Sequence, residues 1–353
     1  MSDLTQRIKA FAKLGDFFSE YSKYAKKKSH MDENQLGWFK KFDETLSLAK
    51  HHNGWFTPEN ILYSFDRWAE LLSQNQLQDW LSTYEMDKNT RKKVALIMAG
   101  NIPLVGFHDF LCTVISGNTA LIKLSSNDKV LLPLVAEYIT EIEPCLTDQI
   151  SFVEGKMEGY DAVIATGSDN TSRYFEHYFG KKPNIIRKNR NSAAILTGKE
   201  TKEQLSALGE DIFRYYGLGC RSVSKIYVPK DYNFDLLFNA LYPFKYVIEQ
   251  HKYANNYDYN KAVYLMSLYK VLENGFLMLK EDKSYASPIA TLFYEYYDSL
   301  DNLKNRLTHD ADLLQCIVAN GVLANEVPFG TTQKPSLGDY ADNVDTVDFL
   351  LKT

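Results

Sequence analysis

Val94-Ala95-Leu96-Ile97-Met98-Ala99-Gly100-Asn101-Ile102-Pro103 is the stretch that decides how this chain folds. A short unbroken apolar run, closed by a Gly-Asn turn and a proline, reads as a strand buried on both faces rather than as an amphipathic helix. The same alternation continues downstream. An apolar helix is expected over 104–116, ended by Gly117-Asn118, then a strand over 119–124, a helix over 128–142 and strands over 150–153 and 160–166. Gly167-Ser168-Asp169 opens a further helix that runs to about Phe179. Strand and helix in strict alternation indicate a parallel, doubly wound sheet.

Upstream the pattern is helical. Leu4, Ile8, Phe11, Leu14 and Phe18 recur at helical spacing, and Thr57-Pro58-Glu59 before Ile61, Phe65 and Trp68 is a helix start with cap, first-turn proline and early acid. All four tryptophans lie in this region, which is expected to form a layer packed on the following domain. Downstream, strands are expected over 192–196, 224–228, 289–296 and 314–319, with helices between them. The domain reading is therefore a helical region over 1–90, a nucleotide-binding domain over 91–190, a second α/β domain over 191–327 and a tail over 328–353.

Composition excludes several classes of function. Among 353 residues, 45% are hydrophobic and the net charge is −5, so neither nucleic acid nor an anionic membrane surface is an expected partner. No apolar run reaches the ~18 residues of a membrane span. The start Met1-Ser2-Asp3-Leu4 lacks the basic and apolar stretches of a secretory signal. The 4 cysteines include no Cys-x-x-Cys pair, so they read as reduced thiols in the cytoplasm and no metal site is expected.

One of those thiols stands apart. Cys220, in Tyr215-Tyr216-Gly217-Leu218-Gly219-Cys220-Arg221-Ser222, follows a helical segment over 201–216 and precedes a strand. By itself such a cysteine reads either as a small packed hydrophobe or as an exposed thiol on a glycine-flanked turn, whose own N–H can point at whatever the sulfur attacks, as a nucleophile with an oxyanion donor requires. Three further turns at strand ends carry polar groups: Gly100-Asn101, Lys123-Leu124-Ser125-Ser126 and Gly167-Ser168. The carboxyl edge of an open α/β sheet is where ligands bind, and a helix start favours phosphate. Cys112 and Cys316 lie in apolar segments and read as core, and His108 reads as a packed histidine.

In order along the chain, Met98-Ala99-Gly100-Asn101-Ile102-Pro103, Gly117-Asn118-Thr119-Ala120-Leu121-Ile122-Lys123-Leu124-Ser125, Ala165-Thr166-Gly167-Ser168, Gly217-Leu218-Gly219-Cys220 and Pro328-Phe329-Gly330 resemble the aldehyde dehydrogenase superfamily. That family carries Pro-Trp-Asn, Gly-Asn-Thr-x-x-x-Lys-Pro-Ser, Thr-Gly-Ser, Gly-Gln-x-Cys and Pro-Phe-Gly in the same order. The resemblance implies two doubly wound parallel-sheet domains of the aldehyde-dehydrogenase type behind the helical N-terminal region. It implies Cys220 as the thiolate that attacks a carbonyl, and Asn101, with the Cys220 N–H, as the oxyanion donor. Lys123, Ser125, Ser126, Gly167, Ser168 and Phe329 become the residues on the cofactor. A terminal strand over 346–350, pairing with a neighbouring subunit in a homo-oligomer, is a further implication.

The departures refine this. The family's oxidising members use a glutamate to activate water; its place here falls at about Arg187, and no carboxylate lies in Asn184-Ile185-Ile186-Arg187-Lys188-Asn189-Arg190-Asn191-Ser192. Without that base, hydrolysis of an acyl-cysteine is slow, and the chain is most similar to the acyl-CoA reductases of the bacterial luminescence type. Acyl-CoA is then the expected substrate, with an acyl phosphate, an acyl group delivered by an activating partner enzyme, or a catalytically silent binding role as alternatives. Ser126 replaces the glutamate that repels a 2′-phosphate, which favours NADPH while leaving NADH usable. Ser284, before Pro288, stands about where the family places a second glutamate on the cofactor.

Overall fold

The computed structural model describes residues 2–27, 36–86, 89–167 and 169–353. The chain forms two compact units, Met1–Lys188 with Ser336–Thr353 and Asn189–Pro335.

In the first unit, strands β1 (Lys93–Ile97), β2 (Thr119–Lys123), β3 (Ile150–Phe152), β4 (Ala162–Thr166) and β5 (Asn184–Arg187) form one sheet in the order β3-β2-β1-β4-β5. Every pairing is parallel, and Val94 of the central strand lies opposite Ala120 on one side and Ala162 on the other. The two faces of β1 are both dry. Val94 and Leu96 join a core with the N-terminal helices, whereas Ala95 packs with Val163 and Ala165.

The helical region supplies the first of those cores. It comprises α1 (Leu4–Lys27), α2 (Leu36–His52), α3 (Pro58–Leu71) and α4 (Gln74–Leu81). The periodicity of α1 buries Ile8, Phe11, Leu14 and Phe18. Phe11 meets Phe107 and Phe110 edge-on at ring separations of 6.3 and 6.1 Å, and Phe18 stacks on Phe65 at 4.5 Å. Pairs of this kind add roughly 0.5–1.5 kcal/mol each beyond the area they bury. Helix α3 starts as expected: the Thr57 hydroxyl accepts the Asn60 N–H at 3.3 Å, with Pro58 in the first turn.

Three helix ends differ from the sequence expectation, all beside the candidate site. Helix α5 (Phe107–Ile115) begins at Phe107 rather than Leu104, because Leu104 is left-handed (φ 56°). Helix α6 (Leu131–Ile142) begins after Asp128, whose carboxylate accepts the Leu131 N–H at 3.3 Å. Helix α7 (Asp169–Phe179) lies between β4 and β5. Helix α8 (Lys202–Phe213) stops before Tyr216, because Tyr215 and Tyr216 take φ of 54° and 58°.

The second unit holds β6 (Asn191–Ile195), β7 (Val223–Pro229), β8 (Val271–Glu273), β9 (Met278–Glu281), β10 (Thr291–Tyr297) and β11 (Leu314–Val318), ordered β11-β6-β7-β10-β9-β8. All pairings are parallel except β8 with β9. Helices α9 (Phe234–Leu241), α10 (His251–Met266) and α11 (Leu300–His309) connect them. Strands β5, β8 and β9 were not expected from the sequence. Each is a strand of 3 or 4 residues, and β5 holds only two apolar residues between Asn184 and Arg187, too few for a hydrophobic period.

The tail corrects two further expectations. Residues 336–353 return to the first unit while 328–335 stay with the second, so 328–353 is not one segment. Residues 346–350 are not a strand. They belong to α12 (Thr346–Lys352), where the Asp345 carboxylate accepts the Asp348 N–H at 2.9 Å and Val347 and Leu350 turn inward. Spacing of three between the buried residues suits a helix face, not a strand.

Arg187, at the end of β5, is 6% exposed and pairs with Asp109 of α5, while its Nη2 donates to the Thr346 hydroxyl at 3.2 Å. Removing one member of such a pair strands a buried charge. Arg187→Ala is therefore expected to destabilise the first unit by about 3–5 kcal/mol, whereas Arg187→Met with Asp109→Leu loses much less. Urea midpoints of the three proteins check this, and equal losses in the single and double variants contradict it.

Candidate active site

Carboxyl ends of β1, β2 and β4 carry the first unit's site residues. The sheet order reverses direction between β1 and β4, which is the switch point where doubly wound sheets bind ligands. Asn101 lies in the turn after β1 and is exposed. That turn is fastened from the helical layer: the buried Asn53 side-chain amide donates to the Gly100 carbonyl at 3.4 Å, and the Ser64 hydroxyl to the Pro103 carbonyl at 3.3 Å. A Cβ on Gly100 would lie 2.7 Å from the Ser125 hydroxyl, so glycine is required for the β1 and β2 turns to meet. Asp128, 8% exposed, completes the joint, its carboxylate receiving backbone N–H groups of Leu131, Val130 and Leu104. Burial pushes its carboxyl above the usual range.

The Lys123 ammonium donates to the Gly155 carbonyl at 3.0 Å, which draws the loop after β3 towards it. The Ser125 hydroxyl accepts the Asn127 N–H at 3.2 Å, and Ser126 is exposed. A Cβ on Gly167 would come 2.8 Å from the Phe175 ring; α7 thus starts flush against the end of β4. Ser168 lies outside the described residues. A lysine, two serines and a glycine-led helix start on one sheet edge are a donor set that fits the phosphates and ribose of a dinucleotide.

His108 is a packing residue. Its ring stacks on Tyr340 at 5.4 Å, its Nε2–H donates to the Leu337 carbonyl at 3.0 Å, and burial holds it below the usual imidazole range. Cys112 and Cys316 are buried.

The second unit carries Cys220, the cysteine that the resemblance makes the candidate nucleophile. Cys220 is exposed, on the turn between α8 and β7. Ser192 of β6 fixes its backbone, the hydroxyl donating to the Cys220 carbonyl at 2.9 Å. Tyr215, Tyr216 and Gly217 run left-handed in succession, a conformation that costs non-glycine residues roughly 1–2 kcal/mol each. They form the sharp bend that brings the thiol out at the head of β7. Arg221 does not lie loose beside the sulfur: its Nε donates to the Thr332 carbonyl.

Phe329, half-buried, belongs to the loop that Arg221 holds. Gly330 there takes φ 78°, and its N–H donates to Asp211 of α8 at 2.6 Å. Sequence reasoning overlooked Asp211 and Asp128. Nothing in an Asp that follows Glu210 on a helix of mixed polarity announces a buried carboxylate, although Asp128 stands where a helix start was already expected. Ser284, placed near a cofactor glutamate by the resemblance, is exposed and its N–H bonds to Asp282 at 2.9 Å. Lys225, wholly buried on β7, pairs with Glu295 at 2.6 Å and belongs to the interior. Among the described residues no group of His, Cys, Asp and Glu could hold a metal ion, and no helix is long and apolar enough to cross a membrane.

Comparison with known proteins agrees with this architecture. No curated protein sequence matches the chain. Among solved structures it is similar to aldehyde dehydrogenase 21 from Physcomitrella patens in complex with succinate, with a TM-score of 0.68, 12% identity and coverage of 99% of this chain and 84% of that one. An indole-3-acetaldehyde dehydrogenase in complex with NAD+ gives a TM-score of 0.62 at 12% identity, covering 91% and 77%. A lactaldehyde dehydrogenase gives 0.59 at 14%, covering 90% and 79%. At these identities the likeness shows the fold, which is that of the aldehyde dehydrogenases. The sequence profile of the acyl-CoA reductase (LuxC) family matches residues 8–237, well over half of the chain. The chain belongs to the acyl-CoA reductase (LuxC) family and is an oxidoreductase acting on aldehyde or acyl groups.

Proposed function

We propose that the protein reduces an acyl-CoA, with a fatty acyl chain, to the corresponding aldehyde through a thioester on Cys220, using NADPH. The observation that carries this reading is the exposed Cys220 thiol on a backbone locked by Ser192, in a chain of the acyl-CoA reductase family.

The Cys220 thiolate attacks the thioester carbonyl, and the Cys220 N–H with the Asn101 side-chain amide receives the oxyanion. Collapse breaks the bond to CoA sulfur, CoA leaves and takes up a proton, and the acyl group stays on Cys220. When bound, NADPH supplies the hydride. Lys123, Ser125, Ser126, Gly167 and Ser168 would hold its nucleotide portion, and Phe329 is the second unit's residue for the cofactor. The resulting thiohemiacetal oxyanion rests on the same two donors until the carbon–sulfur bond breaks and aldehyde is released. Water is a poor competitor because residues 184–192 offer no carboxylate, and Arg187 is tied into the ion pair with Asp109. In this reading the first unit binds the nucleotide and the second carries the chemistry.

Cys220→Ala is expected to abolish acyl-CoA-dependent NADPH oxidation and acyl labelling of the protein together; an unimpaired variant ends the proposal. Asn101→Ala should slow turnover by about 10²–10³, the usual effect of losing one oxyanion donor, while the protein still binds NADPH. Coenzyme A released in step with NADPH supports an acyl-CoA donor, whereas phosphate release would transfer the reading to an acyl phosphate. Ser126→Glu is expected to shift the ratio of kcat/KM for NADPH over NADH towards NADH by about tenfold or more, through repulsion of the 2′-phosphate. An unchanged ratio removes Ser126 from the cofactor site.

A further inference from the structure

We infer that Asp211 and Thr332 form a clamp that positions the nucleophile turn, with Asp211 as the positioning residue on the helix before Cys220 and Arg221 as its counterpart after it. Asp211 is 0% exposed, and three donors from one loop answer its carboxylate: Gly330 N–H at 2.6 Å, Thr332 N–H at 2.9 Å and the Thr332 hydroxyl at 2.8 Å. A carboxylate so buried is tolerated only while such donors stay in place. Its ionisation and the docking of this loop are therefore one event.

The fit is close. Ala207 and Asp211 lie four apart on the same face of α8, and a Cβ on Gly330 would sit 3.0 Å from that of Ala207. Thr332 is itself fully buried and is bonded from two sides. Its N–H and hydroxyl reach Asp211, and its carbonyl accepts from Arg221. Gln333 adds a bond from its side-chain amide to the Ser222 hydroxyl at 3.3 Å. Asp211 precedes the left-handed bend at Tyr215, Tyr216 and Gly217, and Arg221 follows Cys220 directly. Thr332 thus ties together the two ends of a strained segment that contains the nucleophile. A segment in such a conformation holds it only when its surroundings impose it. Release of the clamp lets the bend relax, and the Cys220 N–H turns away from the oxyanion without the sulfur being removed.

The kinetic part of this inference rests on the acyl-thioester reading; the structural part does not. The full-length protein carries the test, with acyl-CoA added in the absence of cofactor. Asp211→Asn is expected to slow acylation of Cys220 by about tenfold or more, since acylation needs an aligned oxyanion donor. Alkylation of the same thiol by iodoacetamide, which forms no oxyanion, should change by no more than about twofold. Thr332→Ser should keep the acylation rate and Thr332→Val should lose part of it, which carries the test if Asp211→Asn fails to fold. Parallel loss of acylation and alkylation, or Thr332→Val indistinguishable from Thr332→Ser, overturns the clamp. If wild-type Cys220 accepts no acyl group, the acyl-CoA reading fails by itself. The clamp then stands or falls on amide hydrogen exchange at Gly330 and Thr332, which should quicken in Asp211→Asn and in Thr332→Val. Unaltered exchange there refutes it.

Discussion

A parallel strand hydrogen-bonded on both edges and covered on both faces has only its ends available for chemistry. β1 is such a strand. Val94 and Leu96 face the aromatic core built with α1, Ala95 faces the opposite layer, and β2 and β4 occupy its two edges. The constraint accounts for much of the first unit. Helix α5 covers one face, with the N-terminal helices packed on α5 and α6 in the same core, and polar residues are pushed to the carboxyl ends at Gly100-Asn101, Lys123–Ser126 and Gly167. The helices also reach the turn itself, since Asn53 and Ser64 bond to the carbonyls of Gly100 and Pro103. A layer that began as cover also holds the turn that carries Asn101.

The second unit solves a related problem differently. Cys220 follows a bend of three left-handed residues that leads into β7, and polar contacts hold the segment alongside the packing of Tyr215 and Tyr216. Ser192 locks the Cys220 carbonyl to β6, while Asp211, Thr332 and Arg221 close a loop around the segment. Hydrogen bonds to a buried charge are directional and strong in a dry setting, so they can define the orientation of a single N–H group where packing would leave it loose. Both units therefore place strained backbone, at Leu104 and at Tyr215-Tyr216, next to the residues assigned to chemistry, a pattern expected where function competes with local preference.

Relationship to the aldehyde dehydrogenases lies in the fold, and the departures lie in the side chains. The resemblance puts the family's water-activating glutamate at about Arg187, and the structure ties that arginine into an interior ion pair with Asp109 and a bond to α12. The substitution is thus not an open gap at a site but a residue with a different occupation. It ties the C-terminal helix, which the sequence reading expected as a strand, to the first unit.

Reading the sequence alone was enough for the alternation of β1, α5, β2, α6, β3 and β4, for the capped start of α3, and for the thiol on a turn. Each of these is written in local periodicity, in a cap or in a glycine, and local terms act over a few residues. Strands β5, β8 and β9 were beyond it, because 3 or 4 residues carry no period and exist as strands only through a neighbour's hydrogen bonds. The ends of α5 and α8 were decided by tertiary structure as well, since a left-handed leucine or tyrosine is disfavoured locally and persists only under outside constraint. Above all, the Gly330 and Thr332 donors of Asp211, and the Leu104 donor of Asp128, come from segments distant in sequence. Which buried carboxylate meets which N–H is fixed by how the chain packs, and no spacing along the sequence encodes it.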